Sequence, residues 1–206
     1  MTAALRTALL SVALLLGGGA ALAVATDGFQ AFSTETARRV AVRRHPVRVP
    51  PVLLESGSGA QFTLADLRGQ WLLVDFIYTR CFTFCTVLGG DFARLERQLA
   101  EPIAQGKVQL LSISFDPTHD TPANLTDYIT RFGGRPPGWL AARPVTADGL
   151  RRLTAAFGIT VIPDGLGGYT HNAAIQVVDP EGRMVDIRDL GQPQQVGDDV
   201  LRRLAP

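Results

Sequence analysis

The chain has few of the residues that most often carry chemistry: two cysteines and three histidines among 206 residues. Two cysteines exclude a disulfide-rich scaffold. Cys81 and Cys85 stand four positions apart, and a bridge closing so small a loop would restrain the unfolded chain little. Neither sign of charge is in excess. Twenty Lys and Arg against 19 Asp and Glu leave a formal net charge of +1, which excludes the electrostatic footprint of a nucleic-acid binder. Internal repeats are absent, and no cysteine stands near a signal-peptide cleavage site, so a lipoprotein anchor is excluded.

One long apolar run is present. Behind Arg6 the chain is uncharged from Thr7 to Thr26, and Ala21-Leu22-Ala23 and Ala23-Val24-Ala25 are of the A-x-A kind that signal peptidase accepts. The run is also about 20 residues long, the length that crosses a bilayer. Residues 1–25 are therefore expected to form a signal peptide or a transmembrane anchor. The remainder is then exported, in a bacterial host to the periplasm or the outer face of the inner membrane. Residues 26–50 are polar and basic, with Arg38, Arg39, Arg43 and Arg44 ahead of His45. They read as a solvated linker before a main domain over residues 51–206.

Within that domain Phe62–Leu64 reads as a short strand. Trp71–Tyr78 reads as a buried central strand, interrupted only by Asp75. Leu88, Phe92, Leu95 and Leu99 mark one face of a helix reaching to about Ile103. Lys107–Phe115 is the next strand. Thr121-Pro122 opens a helix with Thr at the N-cap and Pro in its first turn, and the helix ends before Gly133-Gly134. Residues 133–145 read as a loop leading into a short strand, and Thr146–Phe157 as a helix capped by Gly158. A short strand at Ile159–Val161 precedes the glycine-rich stretch Asp164–Thr170. Asn172–Val178 and Arg183–Arg188 form a hairpin around Asp179-Pro180-Glu181-Gly182. A helix over Pro193–Leu204 follows. The first strand–helix–strand unit implies parallel strands with a right-handed crossover. The expected class is α/β: a thioredoxin-like mixed central sheet flanked by helices, with the dithiol where a central strand meets its helix.

Two thiols at such a corner serve either a thiophilic metal or a dithiol–disulfide cycle. Cys81 and Cys85, at i and i+4, point the same way if helix begins between them, and the positive potential at a helix N-terminus favours thiolate.

Three segments carry a resemblance. They are Tyr78-Thr79-Arg80-Cys81-x-x-x-Cys85, then Ser114-Phe115-Asp116-Pro117-x-x-Asp120-Thr121-Pro122, then Thr170-His171 before a strand. In this order they resemble the Sco/SenC proteins, over about residues 50–206. The resemblance implies a membrane-anchored, thioredoxin-like copper protein that helps build the copper centre of cytochrome c oxidase. It implies copper, as Cu(I), Cu(II) or both, held by Cys81, Cys85 and His171. The implied partners are a copper-accepting oxidase subunit or another copper chaperone, and the inner membrane if the N-terminus is retained. Three ligands leave the metal open to a recipient, whereas a closed structural zinc site takes a fourth. The family usually has proline after each cysteine, where this chain has Phe82 and Thr86.

The rival reading is a thiol–disulfide oxidoreductase using Cys81 and Cys85 as its redox pair. Such enzymes usually carry C-x-x-C, and a proline facing the dithiol where this chain has Thr170. Nothing beside Cys81 resembles the activating arginine and threonine of a thiol peroxidase. Asp116 and Asp120 are candidates for a place around the metal or for facing a partner; Asp120 or Thr121 equally suits a helix cap. His119 and His45 read as solvated, with His119 an auxiliary ligand if its loop closes. Asp75 needs a buried partner. Phe82 and Phe84 form either a docking surface or part of the packing.

Overall fold

The computed structural model describes residues 2–81 and 84–205, with the backbone alone for Phe84 and Cys85. The chain divides into two compact units after His45. In the first, helix α1 spans Ala3–Ala25, 23 residues with no buried side chain, and an 18-residue window within it has a mean hydropathy of 2.2. At 1.5 Å per residue it is about 35 Å long, enough to cross a hydrocarbon core of about 30 Å. The segment read as a linker contains a second helix, α2 (Thr34–Arg44), whose Ser33 side chain caps it by accepting from the Thr36 N–H. Glu35 accepts from Arg38 and Arg39 one turn on, so part of the basic cluster is neutralised inside its own helix.

The second unit begins with strands β1 (Val47–Arg48), β2 (Leu53–Ser56) and β3 (Gln61–Thr63). Strand β4 (Trp71–Ile77) follows, then helices α3 (Phe84–Gln98) and α4 (Ala100–Ala104) and strand β5 (Val108–Ser114). Helix α5 (Pro122–Arg131) leads to β6 (Trp139–Pro144), and α6 (Ala147–Phe157) to the short strands β7 (Val161–Pro163) and β8 (Tyr169–His171). The hairpin β9 (Ile175–Val178) and β10 (Arg183–Arg188) and helix α7 (Pro193–Leu204) complete it. Among the described residues the main sheet runs β1-β10-β9-β4-β5-β6-β2-β3, while β7 and β8 form a sheet of two.

Strands β4, β5 and β6 are parallel, in register Trp71↔Val108 through Ile77↔Ser114 and Leu110↔Trp139 through Ile113↔Ala142. Strand β9 runs antiparallel to β4. Central β4 and β5 are buried along nearly their whole length, as parallel strands covered on both faces must be. Trp139, fully buried, lies against Phe92 of α3 and Tyr128 of α5 and donates its indole N–H to the Ser112 hydroxyl at 2.9 Å. On the other face Phe76 meets Phe157 of α6, with ring centroids 5.2 Å apart. Gly89 lets α3 approach Phe132, because a Cβ there would stand 2.3 Å from the ring.

This is the thioredoxin-like mixed sheet expected from the sequence. Residues 133–145 differ in detail: Trp139–Pro144 is a full internal strand rather than the end of a loop. Leu53–Ser56, which carries no clear alternation, pairs beside it.

Candidate metal centre

Strand β4 delivers the chain to a turn closed by the Cys81 N–H donating to the Tyr78 carbonyl at 3.2 Å. This turn is pinned from the β5–α5 loop. The Asp120 carboxylate, with no exposed surface, accepts from the Thr79 N–H at 3.2 and 3.1 Å and from the Thr79 hydroxyl at 2.6 Å. It also accepts from the Ser114 hydroxyl at 2.6 Å. Asp120 is set there because its own N–H donates to the Asp116 carbonyl, and because the next residue, Thr121, caps α5 by accepting from the Asn124 N–H. The cap is thus Thr121, and the Asp120 side chain turns inward.

Cys81 is 6% exposed, at the end of this pinned turn. Cys85 is the second residue described in α3, at the helix N-terminus where the peptide dipoles favour a thiolate. Its sulfur lies outside the described residues, as do Phe82 and the Phe84 side chain. Thr86, at the second family proline position, is exposed on the same turn of helix.

Asp116 is 3% exposed and presents no surface to a partner. It accepts from Arg80 at 2.8 Å and from Thr118 at 3.1 Å, and it pairs with His119 Nδ1 at 2.8 Å. Burial raises its pKa, but the bonds to His119, Arg80 and Thr118 outweigh this and hold the carboxyl below its ordinary value. His119 is exposed, as is His45 at the end of α2.

His171 closes strand β8 and is buried, at 8% exposure. It does not trail from a free loop. Val161↔His171 and Pro163↔Tyr169 pair across the small hairpin. Asp164 closes the turn by accepting from the Leu166 and Gly168 N–H groups, and Asn172 ties the base by accepting from Thr160 and donating to the Gly158 carbonyl. The imidazole rests on Phe115, centroids 4.9 Å apart, and Phe115 in turn touches Tyr78 and Tyr169. Both ring nitrogens are buried, without a hydrogen-bond partner among the described residues. Burial pushes the ring's pKa down to about 4, so at neutral pH it is an uncharged imidazole with a lone pair to give.

Asp75 is fully buried in β4, beside its register partner Ser112. Among the described residues neither carboxyl oxygen completes a hydrogen bond. Burial raises its pKa to about 7, the proximity of Ser112 offsetting part of the rise.

Among the described residues no three His, Cys, Asp or Glu side chains converge as a ready ligand set. Instead the fold brings the Cys81 turn and the His171 hairpin to one aromatic cluster. Arg80, His119, Gly165, Gly168 and Tyr169 line a shallow pocket of about 350 Å³ there. Sequence reasoning singles out the cysteines, both aspartates and the histidine, but not Tyr78, Thr79 or Tyr169 as members of the site. Tyr78 and Thr79 stand in the motif that carries the resemblance, without a role of their own there, and Tyr169 is marked only by its nearness to His171.

The profile of the SCO1/SenC family matches residues 46–205. A putative copper-binding protein of Stutzerimonas stutzeri is 26% identical over 140 residues, a match spanning 66% of this chain and 66% of that protein. The mitochondrial SCO2 homolog of Bos taurus is 29% identical over 208 residues, 98% of this chain and 76% of its own length. Among solved structures, BsSco, described as a Sco-family cytochrome c oxidase assembly protein with a disulfide switch, superposes with a TM-score of 0.64. It is 22% identical, over 77% of this chain and 94% of that one. With all but the last residue of its second unit matched, this chain belongs to the SCO1/SenC family.

Proposed function

We propose that the protein carries copper as cargo, bound by Cys81, Cys85 and His171, and hands it to the copper-accepting subunit of an oxidase during assembly. The observation that carries this reading is the His171 ring: neutral, buried, and without a hydrogen bond at either nitrogen among the described residues. Burying an imidazole without a hydrogen bond is unfavourable, and a metal bound at one of its nitrogens would offset that cost. Thiolates favour Cu(I), and imidazole accepts either copper state. The hairpin and the turn are separate elements resting on shared rings, so the third ligand belongs to a different piece of chain from the first two. Family membership and the name of the Stutzerimonas stutzeri relative support copper as the metal. The apolar N-terminal helix, as anchor or export signal, suits work at the outer face of a bacterial inner membrane, with residues 51–206 as the copper-binding domain.

The test is an anaerobic copper titration of the reduced full chain in mild detergent, beside His171→Ala. One tightly held copper per chain, with a Cu(II)–thiolate absorption band weakened in the variant, is expected. With both thiols verified as reduced, absence of tight copper in the unmodified protein would overturn the proposal. It would leave thiol–disulfide exchange at Cys81 and Cys85 as the account.

A further inference from the structure

Tyr78 stands at the junction of the two halves of the candidate centre. Its carbonyl accepts the N–H of Cys81. Its hydroxyl accepts from the Tyr169 N–H at 3.3 Å and donates to the Tyr169 carbonyl at 3.4 Å. Its ring packs edge-on against Tyr169, centroids 5.2 Å apart, and lies 5.4 Å from Phe115, on which His171 rests. One hydroxyl therefore does for the outer edge of β8 what a neighbouring strand would do. Both backbone groups of Tyr169 turn toward it, and among the described residues no further strand of this two-stranded sheet meets them. The other side of Tyr78 cannot give way easily, because the adjoining Thr79 is held by the buried Asp120 carboxylate through its N–H and its hydroxyl.

We propose that Tyr78 is a positioning residue whose hydroxyl sets the place of the His171 strand against the turn that carries Cys81. The inference rests on the ligand set proposed above. It adds a residue that touches no metal and acts through the backbone two positions before the histidine. Removing the hydroxyl leaves the ring and the turn in place and frees one edge of the hairpin. The loss then falls on the contribution of His171 alone, not on the dithiol.

The experiment compares the reduced full chain in detergent with Tyr78→Phe, His171→Ala and the double variant, titrated anaerobically with Cu(I) against a competing chelator. Tyr78→Phe is expected to bind one copper roughly three- to tenfold more weakly, the scale of one or two modest hydrogen bonds. In the His171→Ala background the same change is expected to add less than about twofold, because coupled residues are not additive. In the metal-free protein, amide exchange at Tyr169 should quicken about tenfold or more in Tyr78→Phe, with Leu110 in β5 unchanged. The unchanged core exchange also verifies that the variant is folded.

Equal copper affinity in Tyr78→Phe and the unmodified protein overturns the proposal. So does an equal loss in both backgrounds, which would place the effect on the dithiol. If the unmodified protein and His171→Ala bind copper alike, the three-ligand set itself is wrong and the role of Tyr78 falls with it. That comparison is independent of any Tyr78 variant, so the two failures are told apart.

Discussion

Asp75 is an uncomfortable residue in the core, an acid on the central strand with no completed hydrogen bond among the described residues. Its pKa in the fold is about 7 against an ordinary 3.8. Because the folded value is raised, its contribution to stability is complete below about pH 4 and is lost as pH rises through about 7. Three pKa units set an upper limit of roughly 4 kcal/mol on that loss. Asp75→Asn, permanently neutral and of the same size, is expected to gain on the unmodified protein from pH 4 to 7 and then to hold a constant advantage. Urea unfolding at several pH values reads this directly; parallel stability curves would show that the carboxyl is not titrating in this range. At this scale the sequence shows which residues matter but not what they touch. Asp75 is legible as a buried acid because it interrupts an apolar run. Asp120 is legible as a turn residue, yet its bonds reach Thr79, 41 positions away, and no local pattern encodes that pairing.

Among the elements, the β7–β8 hairpin is the piece that sequence reasoning renders least well. Its strands are three residues long, one ends in Pro163, and glycines fill the turn, so neither a two-residue alternation nor a helical period can form. Long apolar or capped segments fare better. Helix α5 begins at Thr121-Pro122 and α6 ends at Gly158, whose φ of 62° suits glycine, because caps are local chemistry. The hairpin is held at its base by Asn172 bridging Thr160 and Gly158. Asn172→Ala removes two bonds and is expected to cost the hairpin about 1–2 kcal/mol. Amide exchange over residues 161–171 should quicken and proteolysis concentrate at residues 164–168, with β4 and β5 unaffected. Acceleration spread evenly across β4 and β5 would mean that the hairpin opens only with the whole sheet.

For the molecule as a whole, the division after His45 separates an apolar helix and a short capped helix from a domain with its own sheet and core. Residues 46–206 expressed alone are expected to be soluble and to unfold cooperatively, within about 5 °C of the full chain in detergent. Loss of a cooperative thermal transition on removing the first 45 residues would show that the domain needs them. The α/β class and the place of the dithiol follow from the order of strands and helices. The position of β2 beside β6 does not, because it is decided by which edge is left uncovered once the parallel strands are laid down.

Under the proposed ligand set, the burial of His171 also bears on which ions that set would admit. A strongly hydrated ion such as Mg2+ gives up its water shell only for several oxygen ligands, and a buried imidazole seated on Phe115 offers nitrogen and no oxygen. An ion that sheds water readily and prefers sulfur and nitrogen loses little on entry. With the proposed ligand set, burial of a single ring would thus select by hydration as well as by ligand softness, against ions that hold their water tightly.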